Sequence, residues 1–293
     1  MYLRVSKNTS MRVVLVSFVF TLFPAKTWAD IAKVYRFPVQ FDELKQLVPT
    51  DLPTKRFYRD DSPYSFVHQI GQSQLPKRPL LIIHGGCWSN AYGVDHSLPM
   101  AAALSGMGLS VWTAEYRRVG DEGGGWPGSL EDIKSAIHYV TQNTGESALL
   151  VGHSAGGHLA LKAAEDPNLS IRGVVALAPI TDLVSYGAET GSCQSMVPKF
   201  MGDDSYDPSD AYRVASVRIE DITVPVIVVI GDADPIVAPT QVESFSSEQL
   251  RTIPEAGHFD LIHPETIAFE VVKSIVEQLL EETISGPEEA RDE

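Results

Sequence analysis

The sequence predicts an α/β protein with a mostly parallel sheet flanked by helices. Short apolar runs rich in β-branched residues alternate with stretches of helical periodicity, which is typical of β/α units. The runs are apolar almost throughout, as expected for strands that are buried on both faces of a parallel sheet. The chain has 293 residues, 44% of them apolar and 21% charged, and this size suits one domain of the α/β class.

The N-terminal residues have a different composition from the rest. Basic residues precede an apolar run at 13–23, and Thr27 and Ala29 supply small side chains after it. This order indicates a secretory signal peptide over residues 1–29, cleaved after Ala29. The apolar run is shorter than the roughly 20 residues that cross a bilayer, so an uncleaved anchor is the weaker alternative. We therefore expect a secreted or periplasmic protein with no stable membrane span in its mature form.

The strands are predicted from their β-branched and aromatic content. Residues 30–75 carry scattered aromatic side chains and are expected to form one or two antiparallel strands. Buried parallel strands follow at residues 79–83, 109–114, 148–151, 171–177 and 224–230.

The helices are predicted from apolar residues that recur every three to four positions. The last helix is expected to begin with Pro264, a residue that suits the first helical position. Its apolar pairs then recur every four residues up to Leu280, which places one stripe against the sheet. The other predicted helices are residues 98–107, 129–143, 155–165 and 239–248.

Two further segments depart from the β/α pattern. Residues 179–223 lie between two predicted strands with little periodicity, and connections of this length are usually functional. We expect a small cap or substrate loop there, at about 180–220. Residues 281–293 are rich in glutamate and are expected to be a disordered acidic tail. The folded domain is therefore expected to span residues 30–280.

Composition excludes several classes of function. The chain has 23 basic and 38 acidic residues and a formal net charge of −15, which repels phosphate and argues against nucleic acid as a partner. Two cysteines, Cys87 and Cys193, are too few for a disulfide scaffold or a cysteine-rich metal site. One bridge between them stays open, since it requires their Cα atoms to lie within about 7 Å. The oligomeric state is not determined by the sequence.

A candidate nucleophile lies in the segment Gly152-His153-Ser154-Ala155-Gly156. This G-x-S-x-G pattern follows a predicted strand and opens a predicted helix, and such a turn exposes its serine hydroxyl at the carboxyl edge of the sheet. Amides at the start of the helix, first that of Ala155, then face the negative charge that develops during attack. Ser154 is therefore the predicted nucleophile.

A serine nucleophile needs a base, and the base needs an acid that orients it. His258 lies in a loop before the last helix, and Asp234 follows a predicted strand, in the chain order Ser, Asp, His that accompanies this turn. Asp232 and Asp182 also follow apolar strands and compete for the role of the acid. Asp232 lies close enough to its strand to cap the turn, and Asp182 is expected to cap a helix or turn, so Asp234 is preferred.

A candidate oxyanion-binding loop follows the strand at 79–83, with the sequence His84-Gly85-Gly86-Cys87-Trp88. Its glycines expose backbone N–H groups, and converging N–H groups stabilise a tetrahedral intermediate. Gly86 and Cys87 are therefore predicted to join Ala155 as oxyanion donors, while His84 is expected to brace the loop.

Two tryptophans are candidate substrate contacts. Trp88 either lines the pocket or packs in the core. Trp126 follows three glycines and belongs either to a mobile lip beside the pocket or to a tight loop. The nearby Arg117 and Arg118 either bind a substrate carboxylate or, as is commoner, pair with local acids.

Together these motifs resemble the α/β-hydrolase superfamily, in its esterase and lipase branch with an HGG oxyanion loop, over about residues 57–280. The segment Gly231–Val237 is similar to the G-x-x-D-x-x-V acid loop of that family, and the HGG and serine motifs also resemble those of kynurenine formamidases and of feruloyl and acetyl-xylan esterases. The resemblance implies an α/β-hydrolase fold, a triad of Ser154, Asp234 and His258, and no metal or organic cofactor.

The expected function is that of a secreted or periplasmic serine hydrolase that cleaves a small-molecule carboxylic ester through an acyl-enzyme. One alternative is amide cleavage, by an N-formyl amide hydrolase or a small peptidase. The other is a non-catalytic binding module on the same fold. The sequence does not identify the acyl group or the alcohol.

Overall fold

An eight-stranded mixed sheet is the centre of the fold in the computed structural model, which describes residues 38–71 and 78–282. The predicted signal peptide and residues 283–293 of the predicted tail lie outside these residues. The strands are β1 (Lys55–Phe57), β2 (Phe66–Ile70), β3 (Pro79–Ile83), β4 (Ser110–Ala114), β5 (Ala148–His153), β6 (Ile171–Leu177), β7 (Val226–Gly231) and β8 (Leu250–Ile253).

Helices flank this sheet. They are α1 (Phe41–Gln46), α2 (Leu98–Ser105), α3 (Gly128–Thr144), α4 (Ala155–Ala164), α5 (Leu183–Ala188), α6 (Met196–Met201), α7 (Asp210–Ala215) and α8 (Ile267–Glu282). In the described ranges, none of the helices has the length and apolar character that crossing a membrane requires.

The strand order β1-β2-β4-β3-β5-β6-β7-β8 confirms the predicted α/β class. β1, β2 and β4 pair antiparallel, and every pair from β4 to β8 is parallel. Every residue of β3, β4 and β5 is buried, as expected for strands covered on both faces. Because the strands from β3 to β8 are parallel, the loops that follow β3, β5, β7 and β8 emerge at one edge of the sheet.

Two of the predicted helices are wrong in part. Residues 239–248 form only a 3₁₀ turn at Pro239–Val242, because the Gln241 carbonyl, which an α-helix would bond to the Phe245 amide, accepts from the Thr181 hydroxyl, and the Phe245 amide donates to the Val242 carbonyl instead. The last helix begins at Ile267 rather than Pro264, because the Thr266 hydroxyl accepts from the Phe269 amide at 3.1 Å and caps the helix there. Helix α1 is not among the predicted elements.

Residues 178–225, called the β6–β7 segment below, hold the three short helices α5, α6 and α7. The cap expected at about 180–220 falls in this segment. Cys193, between α5 and α6, forms a disulfide with Cys87, which follows β3; their Cα atoms are 5.1 Å apart. The sequence did not decide whether the two cysteines pair, and the structure shows that they do.

Candidate active site

Ser154 lies in a sharp turn between β5 and α4. Its backbone has φ 55° and ψ −120°, a strained conformation for a residue with a side chain. The flanking glycines are required, because a Cβ at Gly152 would lie 2.4 Å from the Gly156 carbonyl oxygen and one at Gly156 would lie 2.2 Å from that of Ile83. The second contact also shows that the turn packs directly on the end of β3.

Asp234 and His258 form a hydrogen-bonded pair at the ends of β7 and β8. His258 Nδ1 lies 2.7 Å from Asp234 Oδ2, and the amides of Ile236 and Val237 donate to Oδ1 at 2.7 and 3.0 Å. Burial raises the pKa of Asp234, but the neighbouring His258, its hydrogen bond and the two amides outweigh that effect and hold the pKa below 3.8. The carboxylate is thus ionised at neutral pH and holds the imidazole proton on Nδ1.

The two competing acids are bound elsewhere. The Asp182 side chain accepts from the Val184 amide at 2.9 Å and caps α5. Asp232 Oδ1 accepts from the Glu255 amide at 2.6 Å. Both carboxylates therefore stabilise backbone, as the sequence predicts.

Ser154 and His258 line one cavity of about 120 Å³. Within the described part of the chain the Ser154 hydroxyl makes no hydrogen bond, to the imidazole or to any other group. Catalytic hydrogen bonds commonly tighten only when substrate binds. The lining residues are Phe41, Gly86, Cys87, Tyr92, His96, His153, Ser154, Ser192, Cys193, Ile236, His258 and Phe259.

The HGG loop contributes Gly86 and Cys87 to this cavity. Both have positive φ, 106° and 51°, and a Cβ at Gly86 would lie 2.5 Å from Tyr92 Cβ. Among the described residues, the amides of Gly86, Cys87 and Ala155 have no hydrogen-bond acceptor. Three unused donors therefore lie around the Ser154 turn.

The His84 side chain stabilises the conformation of this loop through two hydrogen bonds. Its Nδ1 lies 2.7 Å from the Gly85 carbonyl oxygen and its Nε2 lies 2.7 Å from Glu115 Oε1. Burial raises the pKa of Glu115, but His84 and Arg118 outweigh it and lower the pKa below 4.5. The Gly85 carbonyl is thereby fixed, and with it the direction of the Gly86 N–H in the same peptide plane.

The two tryptophans do not line the cavity. Trp88 has positive φ and a fully buried ring that stacks on Phe200 at 4.6 Å and donates to His158 Nδ1 at 3.2 Å. The Trp126 amide donates to the Phe200 carbonyl at 2.7 Å, and its ring lies 6.3 Å from that of Phe200. The Trp88 side chain is thus part of the core rather than a substrate contact. The Trp126 loop is held to α6 by this backbone hydrogen bond.

The two arginines pair with local acids. Arg117 Nη2 lies 2.8 Å from Asp132 Oδ1, and Arg118 Nη1 lies 3.1 Å from Glu115 Oε1. Neither arginine lines the cavity.

Sequence reasoning missed an aromatic wall on one side of the cavity. The Phe41 ring, from α1, lies 5.2 Å from Tyr92, 5.5 Å from His96 and 5.5 Å from Phe259. The sequence could have indicated Phe259, because this residue directly follows the predicted base His258. No local pattern singles out Phe41.

Comparisons with known proteins agree with this architecture. The family model described as BD-FAE matches residues 69–249. Kynurenine formamidase avaC from Aspergillus versicolor is 32% identical over 116 residues, which cover 34% of this chain and 39% of that protein. The chain therefore matches well under half of this curated relative's length.

Solved structures share the fold. A truncated carbohydrate esterase from gut microbiota superposes with a TM-score of 0.61 at 19% identity, covering 80% of this chain and 98% of that one. Esterase B from Lactobacillus rhamnosis HN001 gives 0.62 at 17% identity, covering 86% and 91%. The family match extends over more than half of the 293 residues, and the chain therefore belongs to the BD-FAE family, with an α/β-hydrolase fold.

Proposed function

We propose that this protein is a serine hydrolase that cleaves an uncharged carboxylic ester through an acyl-enzyme. The observation that carries the proposal is the hydrogen-bonded pair Asp234–His258, at 2.7 Å, whose imidazole lines the same cavity as Ser154 at its strained turn.

In the first half-reaction, Ser154 Oγ attacks the ester carbonyl carbon while His258 Nε2 takes the hydroxyl proton. Asp234 stabilises the resulting imidazolium. The carbonyl electron pair moves to oxygen, where the amides of Gly86, Cys87 and Ala155 stabilise the negative charge. Collapse of the intermediate breaks the bond to the alcohol, which leaves with the proton from His258.

In the second half-reaction, water takes the place of the alcohol. His258 removes a proton from the water, whose oxygen attacks the acyl carbon, and the same amides bind the second oxyanion. Collapse returns the proton to Ser154 and releases the carboxylic acid. The ester and one water are consumed, and Ser154 and His258 return to their starting state.

The lining of the cavity supports an uncharged substrate. Its residues are mainly aromatic, aliphatic and small polar, and none of them is Lys, Arg, Asp or Glu. Both arginines that were candidates for a carboxylate are held by acids. A zwitterionic amino-acid substrate therefore finds no fixed countercharge among the lining residues, which favours esters over N-formylkynurenine.

We further propose export of the protein, for which the signal-like residues 1–29 and the disulfide between Cys87 and Cys193 are the support, because disulfides persist in oxidising compartments. N-terminal sequencing of the protein from the producing cells tests this. A mature chain that begins near residue 30 in the medium or periplasm is expected, and an intact N-terminus in the cytosol contradicts export.

The catalytic proposal is tested with p-nitrophenyl acetate and butyrate, N-formylkynurenine and a dipeptide amide, together with labelling by a fluorophosphonate. The wild type should hydrolyse the esters fastest and take up one label, and Ser154→Ala should lose both properties. The matched control is Ser209→Ala, since Ser209 is exposed and its side chain caps no helix. Faster cleavage of the formamide or the peptide would replace the ester proposal, and an unlabelled, inactive wild type would favour a binding module.

A further inference from the structure

Cys87 has two roles in the architecture of the site. It lines the cavity with an amide that has no acceptor among the described residues, and its side chain is half of the disulfide. We propose that Cys193 is a positioning residue for the oxyanion hole, which holds the Cys87 N–H in its productive direction through the Cys87–Cys193 bond. This inference rests on the proposed function, because it assigns a role within that same site.

The Cys87 backbone needs such support. Cys87 and Trp88 follow one another with φ 51° and 55°, in the left-handed region that residues with a Cβ rarely adopt. The Ser89 amide donates to the Gly86 carbonyl at 2.9 Å and so holds the peptide plane that contains the Cys87 N–H. The disulfide holds the Cα end of the same plane. With the disulfide broken, the bond from Ser89 would be the remaining constraint on this plane itself, while the following Trp88 carbonyl would stay bonded to the Val119 amide at 2.8 Å.

The other end of the disulfide is firmly anchored. Cys193 is 1% exposed, and its carbonyl accepts from the Met196 amide at 3.0 Å, at the start of α6. The neighbouring Gln194 donates from Nε2 to the Ile236 carbonyl at 3.2 Å. The Ile236 amide in turn donates to Asp234. The disulfide thus joins the oxyanion loop to the β6–β7 segment, and Gln194 of that segment contacts the loop that holds the acid.

The disulfide also forms part of the cavity wall, because Cys87, Ser192 and Cys193 all line the cavity. Movement of Cys193 would therefore be transmitted to Cys87 and its amide directly. Since the amide interacts most strongly with the tetrahedral oxyanion rather than with the planar ester, its loss of direction should lower kcat more than it raises KM.

The test compares oxidised wild type, wild type reduced with dithiothreitol, and the double variant Cys87→Ser/Cys193→Ser, each with p-nitrophenyl acetate. Loss of one oxyanion donor lowers kcat by about 10²–10³-fold, and a misdirected donor should cost about tenfold to 100-fold, with KM changed less than threefold. The affinity for a trifluoromethyl ketone, which forms a tetrahedral adduct with Ser154, should weaken by the same factor as kcat. Thr190→Ala is the matched control, since Thr190 is exposed in the same segment and the disulfide stays intact.

Circular dichroism and thermal unfolding establish that each form is folded at the assay temperature, and the reduced wild type serves if the double variant does not fold. A folded, disulfide-free protein with kcat within twofold of the oxidised enzyme overturns the inference. So does a raised KM with unchanged kcat and ketone affinity, which would make the disulfide a pocket wall only. Two free thiols in the unreduced protein overturn it as well. An oxidised wild type without hydrolysis or labelling instead refutes the proposed function.

Discussion

Nδ1 of His258 donates to one carboxylate oxygen of Asp234 at 2.7 Å, while two backbone amides hold the other oxygen. Both carboxylate oxygens of Asp234 are therefore held by hydrogen bonds. The carboxylate in turn fixes the orientation of the His258 imidazole.

Replacement of Asp234 by asparagine should reverse the histidine tautomer. The side-chain oxygen of Asn would have to face the donors Ile236 and Val237, so its NH₂ group would face His258 Nδ1. Nδ1 would then have to accept, and the proton would move to Nε2, where it blocks transfer from Ser154. We expect kcat to fall by about 10⁴-fold with KM nearly unchanged. Steady-state kinetics on p-nitrophenyl esters measure this.

Asp182→Asn is the control for that experiment, because Asp182 only caps α5 and the amide oxygen of Asn can cap equally well. It should change kcat less than threefold. If Asp182→Asn were the more damaging change, the acid would have to be reassigned.

Glu115 gives a prediction for the dependence of stability on pH. Its pKa is lower in the folded protein than the ordinary 4.5, so its contribution is fully present above pH 4.5 and is lost as the pH falls through the folded pKa. Glu115→Gln should lower the free energy of unfolding by about 1.5–3 kcal/mol at pH 7, because His84, Arg118 and the Val94 amide lose a charged acceptor, while Arg118 keeps its pair with Asp121. The deficit should shrink below pH 4.5.

Denaturant unfolding from pH 7 to pH 3 measures this difference. Glu131→Gln, at an exposed position of α3, is the matched control and should show no trend with pH. A Glu115→Gln deficit that stayed constant down to pH 3 would mean that the carboxylate is not stabilised by its neighbours.

Substitution of Trp88 should affect stability, whereas substitution of Phe41 should affect substrate binding. Trp88→Phe removes the hydrogen bond to His158 and should lower the free energy of unfolding by about 1–2 kcal/mol with KM unchanged. Phe41→Ala opens the aromatic wall and should raise KM severalfold. Steady-state kinetics and thermal unfolding of both variants distinguish the two roles. A rise in KM for Trp88→Phe but not for Phe41→Ala would mean that Trp88 contacts the substrate after all.

Gly156→Ala should damage the junction between the serine turn and the oxyanion loop. The added Cβ would lie 2.2 Å from the Ile83 carbonyl oxygen and 2.4 Å from that of His84. We expect about 1–3 kcal/mol of lost stability and a large loss of kcat, because the backbone of both loops must shift. Gly106→Ala is the control, with exposed backbone and a nearest contact of 3.2 Å. Equal stabilities of the two variants would contradict the close packing.

Local patterns were sufficient for the parts of the site that follow strands directly. The apolar runs of β3, β5 and β7 ended at the HGG loop, Ser154 and the Asp234 loop, and parallel pairing brings such ends to one edge. The orientation of Trp88 was not accessible in this way, because it depends on two consecutive positive φ angles for which residues with a Cβ give no signal. The helix expected at 239–248 failed because the hydroxyl of Thr181, which is distant in sequence, donates to the Gln241 carbonyl that the helix would have used.

Contacts between distant segments also escaped prediction. Phe41 meets Tyr92 and Phe259 only after the chain folds, and α1 is held there by the Val39 amide, which lies 3.3 Å from both carboxylate oxygens of Asp260. The bridge between Cys87 and Cys193 joins residues 106 positions apart, so its formation depended on the tertiary structure.

Strand β6 lies between the strand that leads to Ser154 and the strand that leads to Asp234, and the β6–β7 segment begins there. Its first residues are fixed by Gln241, whose side-chain oxygen accepts from the amides of Thr181 and Asp182 at 2.9 Å. Beyond that anchor, the segment forms part of the cavity wall without contributing a proton donor or acceptor to the reaction. A redesign of α5 to α7 that is meant to change which molecules enter would therefore have to keep the cysteine that bonds Cys87 and the buried Phe200 ring that stacks on Trp88.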